Sequence, residues 1–423
     1  SILRGSALKL TAMDNITRSP SDQSSQVFDE VYAKRVLLAS LVIVGMGFSV
    51  LFPLLAPIGR EIGLSEIQIT SIIGVSSTTV FIASPKWGRL SDRLGRKRVM
   101  LIGLFGFSAG TALFNSVLLA GLEGIIKGTG LFLLLIVARI THAAVMSATM
   151  PASTAYMADI TTPANRTKGM GAAGAANNFG SIMGPALTIF AFVSLLFPLW
   201  LMAALAFING VLVWRFLPEA PKIESGSPTS AVKVRYSDER IRPFVIVGVL
   251  MFTGFALVQQ TMGFRFQDAL SLSTAETARV LGVAMMCSAA ASLFAQSVVV
   301  QRTTLPPFRL LQLALPLLTV AFLVMAFSES RWTLTGAMII QGFAMGMAGP
   351  AFTAGASLAV EAREQGAVAG IIASCGPLGF CLGPIVGGML YQSKPELPYA
   401  VAAVMYIVLA LFMGRLSRSV ISR

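Results

Sequence analysis

Charge is what this 423-residue chain has least of. Only 12% of it is Asp, Glu, Lys or Arg, against 55% hydrophobic residues and a mean hydropathy of +0.76. Soluble domains carry about 25% charged residues, so a soluble globular fold is excluded. Histidine occurs once, at His142, which excludes a His-rich metal centre. The three cysteines, Cys287, Cys375 and Cys381, lack metal-ligand spacing and read as buried packing. No phosphate-binding G-x4-G-K-[ST] loop occurs, so ATP does not drive the chain directly. No catalytic constellation stands out either. The chain does not read as an enzyme, and neither a cofactor nor a metal is expected.

What is present is long apolar segments. A run of about 18 or more apolar residues reads as a membrane span, and twelve such runs follow one another, from residues 36–56 to residues 397–414. The net charge of +13 would suggest nucleic acid in a soluble chain, but its distribution argues otherwise. Of the 32 Lys and Arg, six fall in one set of loops (Arg60, Lys127, Arg265, Arg279, Arg331, Lys394), Arg139 lies inside a span, and the other 25 fall in the tails and the opposite loops. Positive charge gathers on the cytoplasmic side of membrane proteins. The reading is a multi-pass protein of an inner or plasma membrane with both termini cytoplasmic, in contact with lipid and not with nucleic acid.

Six runs precede Arg215 and six follow Arg242, with a polar, proline-bearing stretch between. The expected organisation is a disordered tail (1–33), a six-helix bundle (34–216), a cytoplasmic linker (217–242), a second bundle (243–415) and a short tail (416–423). Met13 is a candidate natural start, with residues 1–12 then a remnant. The halves repeat each other. Gly171, Gly180, Gly184 and Pro185 recur 199 residues later as Gly370, Gly379, Gly383 and Pro384, and Pro151 recurs as Pro350. Leu64-Ser65-Glu66-Ile67-Gln68 recurs 208 residues later as Leu272-Ser273-Thr274-Ala275-Glu276. Both are capping boxes that open a helix. A period of half the chain marks a duplicated half-molecule, a common build for secondary transporters.

The loop between the second and third spans reads Gly88-Arg-Leu-Ser-Asp92-Arg93-Leu-Gly95-Arg96-Lys97-Arg98. This stretch resembles the G-x-x-x-D-R-x-G-R-[KR] signature of the major facilitator superfamily, matching at Gly88, Asp92, Arg93, Gly95, Arg96 and Lys97. Asp92 suits the N-terminus of a helix from the other half, where an anion is favoured, and Arg96 can pair with Asp159. The resemblance implies a charge cluster that locks the outward-facing state. The doubled glycine pattern resembles the family's antiporter motif G-x8-G-x3-G-P-x2-G-G. It is complete in the second half, with Gly387 and Gly388, but Thr188 and Ile189 replace those glycines in the first. Glycines on one face let helix backbones pack closely. The motif's link with exporters in that family favours efflux.

Arg139 matches the basic position of the family's fourth-span motif R-x-x-x-G, with Ala143 in place of the glycine. A charge inside a span is expensive and faces a cavity or a partner. His142 and Met146 continue its helix face. His142 is the candidate proton carrier, with satisfied packing as the rival reading. No Asp or Glu lies in the core of any span. A lone buried arginine without an acid suggests an anionic or zwitterionic substrate. Asn177, Asn178, Gln259, Gln260 and Gln341 are further candidates to line a central cavity or to bond helix to helix. Arg265 and Asp268 end the seventh span as a gate pair or as plain solvated charges.

The expectation is an all-α membrane protein of twelve helices in two pseudo-symmetric six-helix bundles, working by alternating access as a monomer. The resemblance implies a proton-coupled exporter similar to the twelve-span drug:proton antiporters, including tetracycline-type carriers. The cargo would be a drug, carboxylate metabolite or siderophore. The alternative is an uptake symporter or uniporter for a small organic anion.

Overall fold

Helix starts come directly from the sequence. Ser65 Oγ accepts from Gln68 N while the Gln68 side chain accepts from Ser65 N. Ser273 and Glu276 do the same in the second half. Each box satisfies backbone N–H groups that the first helical turn leaves open. The structure, a computed structural model, describes residues 20–161, 165–219, 235–361 and 364–421.

The described residues are helical, in twelve consecutive spans. In the first half these are Pro20–Ser49 continued by Phe52–Glu61, Glu66–Leu94, Arg96–Leu122, Gly128–Met146 continued by Thr149–Asp159, Arg166–Met183 continued by a 3-10 segment Pro185–Phe192, and Phe197–Phe216. In the second half they are Arg242–Leu270, Thr274–Phe294 continued by a π segment Ala295–Val300, Pro307–Phe327, Arg331–Leu358, Gln365–Ser393 and Leu397–Ile421. Eleven are long and apolar enough to cross a membrane. The fifth is the exception, because it breaks at Gly184-Pro185.

Proline explains three breaks in the first half. A proline has no N–H for the carbonyl four residues back. Pro53, Pro151 and Pro185 free the carbonyls of Ser49, Ser147 and Ser181, and each helix is interrupted just there. Helix begins at Pro20, within the expected N-terminal tail, and ends at Ile421, within the expected C-terminal tail. Residues 1–19, 220–234 and 422–423, on which the rest of the tail and linker expectations fall, lie outside the described residues.

Six crossings return the chain to its starting face, where Tyr32 meets Phe216 edge-on with ring centroids 6.4 Å apart. We call this the tail face and the opposite one the far face. One apolar core runs from the far part of the first half (Leu54, Ile58, Ile72) through the second half (Leu257, Phe264, Leu281). A smaller core (Leu37, Met100, Tyr156, Val213) belongs to the tail side of the first half alone. The halves are therefore fused at the far end and separate toward the tail face.

Candidate functional site

Between the halves lies a cavity of about 360 Å³. Phe48, Phe52, Ile73, Ser76, Ser77, Val80, Arg139 and Met146 line it from the first half, and Phe252, Gly376, Pro377 and Phe380 from the second. The proline breaks help to build it, since Phe52 restarts the first span and Met146 ends a segment of the fourth. Among the described residues, Arg139 is the one charged residue on this wall. Its Nη1 lies 2.7 Å from His142 Nδ1. Guanidinium only donates, so Nδ1 accepts and the ring proton of neutral His142 sits on Nε2. Nε2 faces Thr111 Oγ1 at 3.4 Å. His142 is buried and stacks on Phe107 with ring centroids 5.4 Å apart, and the Arg139 guanidinium lies 5.5 Å from the Phe114 ring. Arg139 Nε is buried without a hydrogen-bond partner among the described residues. The site is an aromatic-walled chamber with one oriented cation whose donors are mostly uncommitted.

The far face is held by a cluster in which Arg60 is central. Arg60 Nη1 and Nη2 reach the two carboxylate oxygens of Asp268 at 2.5 and 3.0 Å. The same guanidinium donates to Glu66 at 2.8 Å and to Gln267 at 3.3 Å, and it lies 4.8 Å from the Phe264 ring. Tyr391 donates to Asp268 at 2.7 Å. A bidentate arginine–carboxylate pair adds geometric specificity as well as energy. Arg265 plays a different part: it is buried and donates to the carbonyls of Met325, Ala326 and Ser328, closing the end of the ninth span. Asp268 thus forms a latch between the halves, with Arg60 as its partner, and Arg265 is a helix cap.

A family model described as Major Facilitator Superfamily matches residues 37–328 and 308–420. The chain belongs to the major facilitator superfamily. It is 27% identical over 387 residues to Multidrug resistance protein 2 of Bacillus subtilis, covering 88% of this chain and 92% of the relative. Among solved structures it resembles the human organic anion transporter MFSD10, with a TM-score of 0.62, 20% identity, and coverage of 91% and 99% of the two chains. It also resembles a bacterial homolog of the lysosomal transporter Spinster, described as inward-facing and unoccupied. There the TM-score is 0.71, with 15% identity and coverage of 92% and 97%. The superfamily transports small molecules, and the chain is not an enzyme.

The superfamily's loop motif keeps to its own half here. Arg96 pairs with Asp92, donates to Asp159 Oδ2 at 2.9 Å, and reaches Ser91 Oγ at 2.7 Å. Asp92 remains largely exposed, at 59%. Gly88 lies against Pro151. Gly95 is needed for its backbone: φ is +99°, and a Cβ would meet Glu219 Oε1 at 2.7 Å. Arg93 is exposed and Lys97 half-buried.

The glycine motifs divide. Gly180 and Gly184 rest on backbone of the first span at Val42 and Met46, and Gly379 and Gly383 on backbone of the seventh at Phe252 and Thr253. A Cβ at Gly171 or Gly370 would meet nothing within 4 Å among the described residues. They lie toward the tail face, where the halves part. Of the other sequence candidates, Met146 shares the cavity wall with Arg139, while His142 stands behind Arg139 in a small cleft. Asn177, Asn178, Gln259, Gln260 and Gln341 are not on this wall. Gln260 and Gln341 are buried in the helix bundle, and Asn178 is exposed. The aromatic wall of Phe48, Phe52, Phe252 and Phe380 was missed, because phenylalanine in an apolar span carries no sign of which way it faces.

Proposed function

We propose that the chain is an alternating-access carrier exporting small anionic, zwitterionic or amphiphilic compounds in exchange for protons, with its tail face cytoplasmic. The observation that carries the substrate class is Arg139. Among the described residues it is the single charge on a cavity wall that holds no carboxylate, and its Nε has no protein partner. A substrate carboxylate, phosphate or sulfonate supplies the missing acceptor, and four phenylalanines supply an apolar surface for the rest. Export is supported by the relative named for multidrug resistance. The positive charge of the tail-face loops supports the orientation. On that orientation the latched far face and parted tail face correspond to an inward-facing carrier.

The test is transport into vesicles of anionic, neutral and cationic probes of similar size. Arg139→Ala is expected to lower kcat/KM for the anion by at least about tenfold, the loss of one charge-assisted contact, and to spare the neutral probe. Full anion transport by this variant would sink the substrate assignment.

One observation favours uptake by symport as a second reading. Nδ1 of His142 is occupied by Arg139. A substrate anion that draws Arg139 away frees Nδ1 for a proton, so anion and proton assist rather than displace each other. An imposed proton gradient of either sign separates the readings by the direction of net flux.

A further inference from the structure

A second cavity, of about 510 Å³, opens on the flank of the far face, where the 3-10 segment of the fifth span meets the eighth and tenth spans. Ile189, Val283 and Met286 contribute its apolar floor, and Glu276, Arg279 and Arg331 its polar rim. The floor continues onto the lipid-facing surface, since Ile189 is 60% and Val283 51% exposed. Trp332, beside Arg331, is 80% exposed, and the Arg331 guanidinium lies 5.9 Å from its ring. An exposed tryptophan at the end of a span sits at the headgroup level of a bilayer. The rim is thereby placed at the boundary between lipid and water.

The charges on this rim do not cancel. The Glu276 carboxylate is held by Ser273 N at 3.0 Å and Ser273 Oγ at 2.7 Å. It lies within electrostatic reach of Arg279, which leaves the rim with one net positive charge. Neither Arg279 nor Arg331 forms an ion pair among the described residues. The 3-10 wall of the cavity has no counterpart among the described residues of the other half. The cavity forms where Pro185 turns the fifth span into a 3-10 segment, with Pro185, Thr188 and Ile189 on its wall. At the matching seam of the other half the eleventh span continues unbroken to Ser393, and Gly388 lies against Thr70.

We propose that this cavity binds a phospholipid with an anionic headgroup, taken from the leaflet on the far face. Its phosphate sits between Arg279 and Arg331, and one acyl chain lies along Val283 and Ile189. A zwitterionic lipid would add a cation to a rim that already carries one net positive charge; an anionic one does not. Because the cavity joins the fifth and eighth spans, one from each half, the bound lipid bridges them and holds the far-face seam shut.

The experiment uses the full chain, purified and delipidated, with lipid retention read by native mass spectrometry and thermal shift. Probes are phosphatidylglycerol, phosphatidylcholine of the same acyl chains, and inorganic phosphate. Phosphatidylglycerol is expected to bind more tightly than phosphatidylcholine by on the order of tenfold, as two basic residues at a lipid surface allow. Arg279→Ala with Arg331→Ala is expected to erase that preference. Equal binding of the two lipids, or a preference that survives in the double variant, overturns the proposal. So does an effect of inorganic phosphate equal to that of phosphatidylglycerol, which would make the ligand a soluble anion. If the double variant does not fold, Ile189→Trp fills the floor from an exposed position. Undiminished phosphatidylglycerol retention by that variant overturns the proposal equally.

Discussion

Pro151 and Pro350 stand 199 residues apart, as do Pro185 and Pro384, yet only the first of each pair interrupts its helix. The lost backbone bond is the same in all four places, so the difference comes from the neighbours. In the first half Ser147 donates to Ala144 O at 2.8 Å, and Thr188 to Pro185 O at 2.6 Å. Such hydroxyls compete for carbonyls that a regular helix would use. Their counterparts 199 residues on are Gly346 and Gly387. These carry no competing group, and they rest against backbone of a neighbouring span, at Ser292 O and Leu257 O. The tenth and eleventh spans are therefore continuous helices, while the fourth and fifth are jointed, the fourth close to Arg139 and His142. The polar site follows the joints: Arg139 and His142 have Met338 and Gln341 as counterparts.

The strongest test concerns what the halves share. A Cβ at Gly180 would overlap Val42 O, and one at Gly379 would come within 2.6 Å of Thr253 N, so neither position has room to give. Gly180→Leu and Gly379→Leu are each expected to cost about 3 kcal/mol or more, the upper range for overpacking, and to lose the monodisperse peak on size exclusion. Gly171→Ala and Gly370→Ala should melt with the parent. If Gly180→Leu does so too, the glycine seam is not what joins the first span to the fifth.

A middling effect is expected at the latch, where the halves meet as equals. Arg60 and Asp268 are 208 residues apart, the offset of the capping boxes, so they occupy equivalent positions of the repeat. Arg60→Asp alone should weaken the far-face closure by about 1 kcal/mol, a modest figure because Asp268 is 38% exposed. Adding Asp268→Arg should recover part of it, since the reversed pair still faces across the pseudo-twofold axis. Recovery stays incomplete because Glu66 would then face a second carboxylate in place of the guanidinium, and its own counterpart is the uncharged Thr274. The readout is labelling of Ser77→Cys, on the cavity wall, by a membrane-impermeant maleimide from the far face, in a background without other cysteines. Identical labelling of all three proteins would mean that the latch bears no load.

Much of this comparison was visible in the sequence. Hydropathy located the spans, the two offsets exposed the duplication, and the isolation of Arg139 marked it. Arg60 was overlooked because it counted only as a loop charge. The signal was present, since Arg60 and Asp268 each precede a capping serine by five residues. Two of the helix breaks were hidden because Pro151 and Pro185 recur as Pro350 and Pro384, and the outcome depends on Ser147 and Thr188 against two glycines. Gln260 and Gln341 look like cavity residues by polarity, but a sequence does not say which face of a span they occupy.

His142 offers a smaller contrast. Its counterpart is Gln341, so His142→Gln makes the halves alike while keeping an oxygen to accept from Arg139. Anion transport at neutral pH is expected to stay within about threefold of the parent, whereas His142→Leu should lose about tenfold, one hydrogen bond to a charged group. If the Gln variant keeps the parental pH profile, His142 is not the proton carrier, and coupling must be sought at Asp268 or Asp92.

The least effect is expected at the linker's end, where only the second half is tied. Arg240 donates to Asp238 at 2.9 Å and to Glu364 at 2.9 and 3.0 Å; the equivalent positions of the first half are Tyr32 and Asn165, which form no such pair. Arg240 holds the Asp238 carboxyl below its ordinary value of 3.8 by hydrogen bonding, and the arginine is itself raised by both acids. A depressed carboxylate contributes above its ordinary value and loses that contribution as pH falls through the depressed one. The Arg240–Asp238 pair is therefore complete at neutral pH and opens only in strong acid. These groups lie at the surface, where screened ion pairs contribute little. Arg240→Gln should leave the melting temperature at pH 7 unchanged within error, and should flatten whatever salt dependence the parent shows. A clear drop in melting temperature would show that the linker's end anchors the second half more firmly than an exposed ion pair can.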